Sequence, residues 1–152
     1  MKHDQLAAKL FSEGCSCSQA VLAAFGDVTG LDQTTALHLA SSFGGGMGRL
    51  RETCGAVTGA FMVLGLLYGF DNSSEPGKKG EHYARIQDFA AAFREQHETM
   101  LCRELLAGLN KDTSPIPEPR TEQYYKTRPC VRFVITAAQL LDEYLQSHPA
   151  ER

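Results

Sequence analysis

The sequence has no tryptophan, no apolar run long enough to cross a bilayer, and no excess of basic residues. Its longest apolar run, residues 56–68, is shorter than the roughly 20 residues of a transmembrane helix and contains Gly59 and Gly65. Fifteen Lys and Arg residues stand against 18 Asp and Glu residues, which argues against binding to nucleic acids or to acidic membrane surfaces. The first residues, MKHDQLAAKLF, lack the apolar core of a secretory signal. We therefore expect a soluble, cytoplasmic protein.

The pattern of apolar residues favours helices over strands along the chain. Hydrophobic residues make up 43% of the sequence and charged residues 22%, which is typical of a folded domain. Strand-like alternation is weak, whereas apolar residues recur at helical spacing, as at Val131, Val134 and Ala138. We predict an all-α fold, a single-domain bundle of about six or seven helices over residues 1–152. The predicted helices cover residues 2–13, 17–25, 32–42, 54–68, 81–96, 99–106 and 129–145.

Prolines mark one segment that cannot be a regular helix. Pro115, Pro117 and Pro119 each lack the backbone N–H of a helical residue and have a restricted φ angle. The sequence therefore predicts that residues 110–128 form a proline-rich linker across the surface, within the single domain.

Five cysteines are spread over the chain, at positions 15, 17, 54, 102 and 130. An odd number at wide and unequal spacing does not resemble the disulfide framework of a small secreted protein. The sequence also lacks a Cys-x-x-Cys pair, the short spacing found in many structural zinc sites. The position of the cysteines relative to the predicted helices is therefore more informative than their spacing.

Four of the five cysteines fall in the first turn of a predicted helix, one or three residues after a serine or threonine. At that place the helix dipole and free N–H groups stabilise negative charge, so the thiol pKa is expected to fall below about 8.5. We predict that these helix ends bring several sulfur atoms to one pocket. The candidate residues are Cys17, Cys54, Cys102 and Cys130, whereas Cys15 lies in the turn before the second helix.

A glycine-rich loop, residues 43–48, lies shortly before Cys54. It is neither a dinucleotide-binding GxGxxG motif nor a phosphate-binding P-loop. Two interpretations stay open: a tight turn between packed helices, or a nest of backbone amides that binds an anion or the edge of a cofactor. Arg49 and Arg51 would add positive charge to such a nest, or they would simply be solvated. The candidate cofactor-binding residues are Gly44, Gly45 and Gly46.

Small residues also give one predicted helix a smooth face. Gly55 and Gly59 are four residues apart within the predicted helix 54–68. Glycine inside a soluble helix costs about 1 kcal/mol, so we expect close packing or function to offset that cost. A homodimer formed through this face is one expectation, and packing against another helix or a ligand is the other.

Three functions are consistent with the cysteines. In the first, the chain is a thiol-based redox protein, a candidate oxidoreductase acting on a redox partner or a small-molecule substrate. One thiolate attacks and a second resolves the mixed disulfide, with Cys54 and Cys17 as first choices because each directly follows a capping residue. In the second, the four thiolates hold zinc or an iron–sulfur cluster. In the third, the cysteines are buried packing residues of a structural helical protein.

Together with their neighbours, the cysteines resemble the putative redox-active protein family that is named for a C…GCAxxG…C…C pattern. The similarity extends from about Phe11 to Leu145, and the central motif reads Cys-Gly-Ala where the family label spells Gly-Cys-Ala. The resemblance implies a small helical protein with a redox or metal role and with Cys17, Cys54, Cys102 and Cys130 as its functional cysteines. The segments that carry it are Cys17-Ser-Gln-Ala-Val-Leu22, Phe43-Gly-Gly-Gly-Met47, Cys54-Gly-Ala-Val-Thr-Gly59, Met62-Val-Leu-Gly-Leu66, Tyr68-Gly69, Cys102-Arg-Glu-Leu105 and Cys130.

Overall fold

The computed structural model describes residues 1–72, 74–109 and 112–149, and over these ranges the chain is all-α, as predicted. Extended pairing within them is limited to a single bridge between Thr53 and Leu101. A 3-10 turn at Ser41–Phe43 joins two of the helices. The helices are α1 (His3–Ser12), α2 (Cys17–Ala24), α3 (Gly26–Thr29), α4 (Gln33–Ala40), α5 (Gly44–Met47), α6 (Gly55–Tyr68), α7 (Lys78–His97), α8 (Cys102–Leu105), α9 (Glu122–Thr127) and α10 (Cys130–Ser147).

The long helices lie where the sequence pattern predicts them, and three short ones do not. In the described ranges six helices have eight residues or more: α1, α2, α4, α6, α7 and α10. The short helices α3 and α5 occupy segments predicted to be turns, and α9 lies inside the predicted linker. The hydroxyl of Thr121 begins α9 by accepting a hydrogen bond from the backbone N–H of Tyr124 at 3.2 Å. Residues 110 and 111, the first of that linker, lie outside the described residues.

The core is built around α6, which packs against α2, α7 and α10. Val57, Val63 and Leu64 of α6 are completely buried. α1 packs against α2 and α10, so the N-terminal and C-terminal helices lie side by side. Burial of such side chains is the main stabilising contribution, at about 25 cal/mol for each Å² of apolar surface removed from water. Among the described residues, we find no helix with both the length and the apolar character needed to span a membrane.

The glycine face of α6 packs within the chain, which corrects the expectation that it forms a dimer face. A Cβ atom at Gly59 would lie 2.8 Å from the carbonyl oxygen of Ser18 in α2, and one at Gly55 would lie 3.2 Å from the Cβ of Cys17. Both glycines are buried. The absence of side chains therefore lets α2 and α6 approach closely, and a second subunit could reach this face only by displacing α2.

Candidate functional site

Four helix ends converge on one cavity of about 340 Å³. Cys17, Cys102 and Cys130 are the first residues of α2, α8 and α10, and Cys54 is the N-cap of α6. All four side chains line this cavity. The fifth cysteine, Cys15, lies in the turn between α1 and α2 and is not among the described residues that line it. The predicted placement at helix N-termini is thus confirmed, and the structure brings the four predicted site cysteines to one place.

Short backbone hydrogen bonds hold the loops that carry Cys54 and Cys102. The N–H of Cys54 donates to the carbonyl of Met100 at 2.7 Å, and the N–H of Cys102 donates to the carbonyl of Glu52 at 2.6 Å. Thr53 and Thr99 are the threonines that lie one and three residues before Cys54 and Cys102, and their hydroxyls do not cap α6 and α8. Backbone pairing between two loops therefore replaces side-chain capping as the means of positioning these two sulfurs.

The glycine loop forms a tight turn in the wall of the cavity. Gly44, Gly45 and Gly46 all line the cavity, and their carbonyl groups accept hydrogen bonds from the backbone N–H groups of Arg49, Arg51 and Glu52. Gly46 has a φ of +71°, a left-handed conformation that favours glycine. A Cβ atom there would also lie 2.6 Å from the Cβ of Cys102. Packing thus accounts for the glycine at this position, and binding of a cofactor by the three glycines stays a prediction.

Arg51 brings a buried positive charge to the cavity. Its side chain is part of the cavity lining, and the residue is only 6% exposed, so it is not a solvated surface residue. Its Nη1 donates to the sulfur of Cys102 at 3.7 Å. Its Nε and Nη2 both donate to the carbonyl oxygen of Asp112, at 3.1 and 3.0 Å. The guanidinium therefore joins the proline-rich segment to the thiol site.

Two further arginines, Arg120 and Arg128, line the cavity together with Arg51. Arg120 lies over the ring of Phe11 at 4.4 Å and over that of Tyr124 at 4.9 Å. Arg128 is 8% exposed, forms an ion pair with Glu118 and lies 5.3 Å from the Tyr124 ring centroid. The sequence pattern does not indicate Arg120, Tyr124 or Arg128 as site residues, because it predicts a surface linker over residues 110–128. The recurrence of arginine and tyrosine there is only a weak signal without the fold.

The electrostatics of the cavity single out Cys130. The thiol of Cys17 donates a hydrogen bond to its sulfur, and this contact is the main reason that the pKa of Cys130 falls to about 7. Burial opposes the shift, but the positive charges of Arg128, Arg120 and Arg51 add to it. A substantial fraction of Cys130 is therefore a thiolate at neutral pH, the nucleophilic form of the residue.

The other three cavity cysteines have raised pKa values, which corrects the expectation of lowered values at all four helix ends. The pKa of Cys17 rises because its thiol donates to Cys130 and is buried. Burial raises the pKa of Cys54 to about 12, although the N–H groups of Ala56 and Val57 oppose this. Burial also raises the pKa of Cys102, against the influence of Arg51. Loss of water around a thiolate is thus the main cause at Cys54 and Cys102, whereas at Cys17 it adds to the effect of Cys130.

The arrangement of donors does not fit a metal centre. Over the described ranges, His, Cys, Asp and Glu side chains nowhere form a group of three or more that could hold one ion. The four cysteines share the cavity walls without forming such a group, so the zinc and iron–sulfur interpretations do not match this geometry. His97 is hydrogen-bonded through Nε2 to Thr136 at 2.9 Å and packs against Phe133, and it is not among the described residues that line the cavity.

One of three comparisons with known proteins found a match. The family model described as "Putative redox-active protein (C_GCAxxG_C_C)" matches residues 15–144, a range that includes all five cysteines. Neither the curated proteins nor the solved structures with which the chain was compared gave a match. The matched range covers most of the chain and supports a redox role in general. A cavity of four cysteines at helix N-termini, together with this match, places the chain in the family of redox-active proteins with the C_GCAxxG_C_C pattern.

Proposed function

We propose that the protein is a dithiol redox protein in which Cys130 is the attacking thiolate and Cys17 the resolving thiol. The observation that carries this proposal is that Cys17 and Cys130 line one cavity together with three arginines, where interaction with Cys17 and the arginine charges lower the pKa of Cys130 to about 7. Membership of a redox-active family supports the same general role. This assignment changes the order of candidates from the sequence, which favoured Cys54 and Cys17 as nucleophiles.

The first step is attack on an oxidised disulfide. The Cys130 thiolate forms a bond to one sulfur of the disulfide, and the S–S bond of the substrate breaks. The other substrate sulfur leaves as a thiolate and takes a proton from solvent. Cys130 is then held in a mixed disulfide with half of the substrate.

The second step uses Cys17. While Cys130 is a thiolate, its charge and hydrogen bond keep the pKa of Cys17 high. Both effects disappear once Cys130 is in a mixed disulfide, so the Cys17 proton is lost more readily. The Cys17 thiolate then attacks the Cys130 sulfur and releases the second half of the substrate as a thiolate. Two electrons have passed from the protein dithiol to the substrate disulfide, and a Cys17–Cys130 disulfide remains.

Cys54 and Cys102 line the same cavity and complete the proposed site. Their raised pKa values keep them as thiols at neutral pH, so neither begins the reaction. An external dithiol reductant is needed to return the Cys17–Cys130 disulfide to the reduced form. All five cysteines are free in the structure, and such a reduced state suits the cytoplasm as the proposed location.

Oxidation with a small disulfide tests this proposal. Reduced protein is incubated with hydroxyethyl disulfide, and the products are mapped by peptide mass spectrometry. We expect a Cys17–Cys130 disulfide in the wild type, and a trapped mixed disulfide on Cys130 in Cys17→Ser. Cys130→Ser should react at least tenfold more slowly, and Cys15→Ser, outside the cavity, should behave like the wild type. Wild-type reactivity of Cys130→Ser, or oxidation that needs Cys15, would contradict the proposal.

A further inference from the structure

The charge of the cavity is opposite to that of the chain. The whole sequence carries a formal net charge of −3. The cavity, in contrast, is lined by four arginines and, among the described residues, by one acidic side chain, Glu118. A cleft of one charge sign with apolar walls concentrates ligands of the opposite sign. The arginines are Arg49, Arg51, Arg120 and Arg128.

Two of these arginines are buried, and their partners differ. Arg128 forms an ion pair with Glu118, so its charge is compensated within the protein. Within the part of the chain that the structure describes, the hydrogen-bond partners of the Arg51 guanidinium are the Asp112 carbonyl oxygen and the Cys102 thiol, both uncharged. Burying a guanidinium without a charged partner is costly, and a carboxylate is a stronger, bidentate acceptor than a carbonyl. Arg51 is therefore the position at which an anionic group would gain most.

The same guanidinium is close enough to Cys130 to affect it. The charge of Arg51 contributes to the lowered pKa of Cys130, and both residues line the cavity. The cavity volume of about 340 Å³ is at the lower end of the range of small-molecule pockets, roughly 300–1,000 Å³. Phe11, Leu106 and Phe133 also line the cavity and provide apolar surface for a short aliphatic chain.

We propose that the cavity takes a small disulfide that carries a carboxylate, with the carboxylate at Arg51 and the disulfide at Cys130. This proposal rests on the proposed function and names the substrate class of the same site. When the Cys130 thiolate attacks the disulfide, the departing half leaves as a thiolate that carries its own carboxylate and then takes up a proton. The arginines of the cavity stabilise the negative charge as it moves from the Cys130 sulfur to the departing sulfur.

Three disulfides of similar length and different charge test the proposal. Dithiodipropionate is an anion, hydroxyethyl disulfide is neutral and cystamine is a cation. The rate at which each oxidises Cys130 is measured in reduced wild-type protein at pH 7 and low salt. We expect dithiodipropionate to react at least about tenfold faster than cystamine, with the neutral compound between them, and the difference to shrink at high salt.

Arginine variants locate the effect within the cavity. Arg51→Gln should reduce the preference for dithiodipropionate severalfold, Arg51→Lys should retain part of it, and Arg132→Gln, an exposed control, should leave it unchanged. Circular dichroism confirms that each variant is folded. If Arg51→Gln does not fold, the rates of the three disulfides with the wild-type protein alone test the proposal.

A binding measurement without redox chemistry separates the two proposals. Suberate has the length of dithiodipropionate with two methylene groups in place of the disulfide, and diaminooctane is its cationic counterpart. We expect suberate, and not diaminooctane, to slow alkylation of Cys130 by the neutral reagent iodoacetamide. Equal reaction with all three disulfides and no protection by suberate would overturn the anionic-substrate proposal alone. Protection by suberate together with no reaction of any disulfide would instead overturn the dithiol function.

Discussion

Cys130 and Cys54 show how a single residue's surroundings decide its chemistry. Both lie at the N-terminus of a long helix, where the helix dipole favours a thiolate. Cys130 also accepts from the Cys17 thiol and faces several guanidinium groups, and its pKa is about 7. Cys54 is 5% exposed and has only backbone N–H groups in its favour, and its pKa is about 12. The helix end alone therefore does not activate a cysteine.

Alkylation against pH tests this difference between the cysteines. The rate for Cys130 should rise with pH and reach half its maximum near pH 7, because its pKa is lowered to about 7. Cys54 should stay unreactive below pH 10 in the folded protein. Replacing Cys17 by Ala removes the donor and should move the Cys130 midpoint upward by at least half a unit. The rates are measured by mass spectrometry with iodoacetamide, and coincident profiles for Cys130 and Cys54 would refute the assignment.

Gly46 allows the close contact between the glycine loop and Cys102. Its φ is +71°, and an added Cβ would lie 2.6 Å from the Cys102 Cβ and 2.7 Å from the Glu52 nitrogen. We expect Gly46→Ala to lower the free energy of unfolding by about 3 kcal/mol, from left-handed strain of about 1–2 kcal/mol plus the steric clash. Urea denaturation measures the loss.

Gly77→Ala is the matched control for this substitution. Gly77 has a similar φ of +83°, but no atom lies within 4 Å of the position that its Cβ would take. It should therefore lose only the left-handed contribution, about 1–2 kcal/mol. Equal losses for the two alanine variants would show that Gly46 is needed for its φ angle alone.

At the residue scale, the sequence predicted the positions of the cysteines better than it predicted their pKa values. Ser16 is the N-cap of α2, so the capping pattern in the sequence is enough to place Cys17 at the start of a helix. The sign of each pKa shift could not, because it depends on burial and on arginines that are distant in sequence. Arg128 is two residues from Cys130, but its orientation toward the cavity is a property of the fold. The sequence also gave no reason to rank Cys130 above Cys54.

Among the elements, the pairing of α2 with α6 decides where two of the sulfurs lie. Cys17 begins α2 and Cys54 precedes α6, so the separation of these helices sets how far apart the two cysteines lie in the cavity wall. Gly55 and Gly59 keep that separation small. The same glycines that suggested a dimer face thus let α2 and α6 pack closely within one chain.

Two alanine substitutions on α6 test this function of its glycines. Gly59→Ala should destabilise the protein by about 2 kcal/mol, because the new Cβ would lie 2.8 Å from the Ser18 carbonyl oxygen, which belongs to the backbone. Gly65→Ala, on the same helix, meets no atom within 4 Å and should stabilise the protein by up to about 1 kcal/mol through helix propensity. Thermal and urea denaturation measure both effects. Stabilisation by Gly59→Ala would contradict close packing at this position.

Helix periodicity identified the long elements, and local signals were too weak for the short ones. α7 and α10 have 20 and 18 residues, long enough for apolar spacing to accumulate. α9 has six residues, none of them buried, and its Tyr125 packs against Phe11, which is distant in sequence. Pro115 and Pro117, in the segment predicted to cross the surface, are exposed, and both also line the cavity. Tertiary contacts, which the sequence pattern does not encode locally, therefore determine these parts.

On the scale of the whole molecule, the cavity is assembled from residues far apart in the chain. Phe11 in α1 and Phe133 in α10 both line it, so most of the chain must fold before the sulfurs meet. His3 contributes to this assembly by linking three helices. Its Nδ1 is 2.7 Å from a carboxylate oxygen of Asp142 in α10, and its Nε2 is 2.8 Å from one of Asp27 in α3. Its ring stacks on Phe25 with 4.1 Å between the centroids.

His3 should make the stability of the protein depend on pH. Burial lowers its pKa, but hydrogen bonds and charge from Asp27 and Asp142 raise it by more, so its folded pKa lies above 6.5. The stabilisation is therefore complete below the unfolded value of 6.5 and is lost as pH rises through the folded pKa. His3→Gln should cost about 1 kcal/mol at pH 5.5 and clearly less at pH 9, a modest value because Asp27 is 64% exposed.

Urea denaturation of both proteins at the two pH values measures this change, with the exposed His38→Gln as the matched control. The control should show the same small effect at both pH values, because no comparable pair of carboxylates contacts that side chain among the described residues. A cost of His3→Gln that is equal at the two pH values, or larger at pH 9, would mean that the histidine packs on Phe25 without acting as a charged link. Any pH dependence of stability would then originate elsewhere, and apolar packing would hold α1, α3 and α10 together.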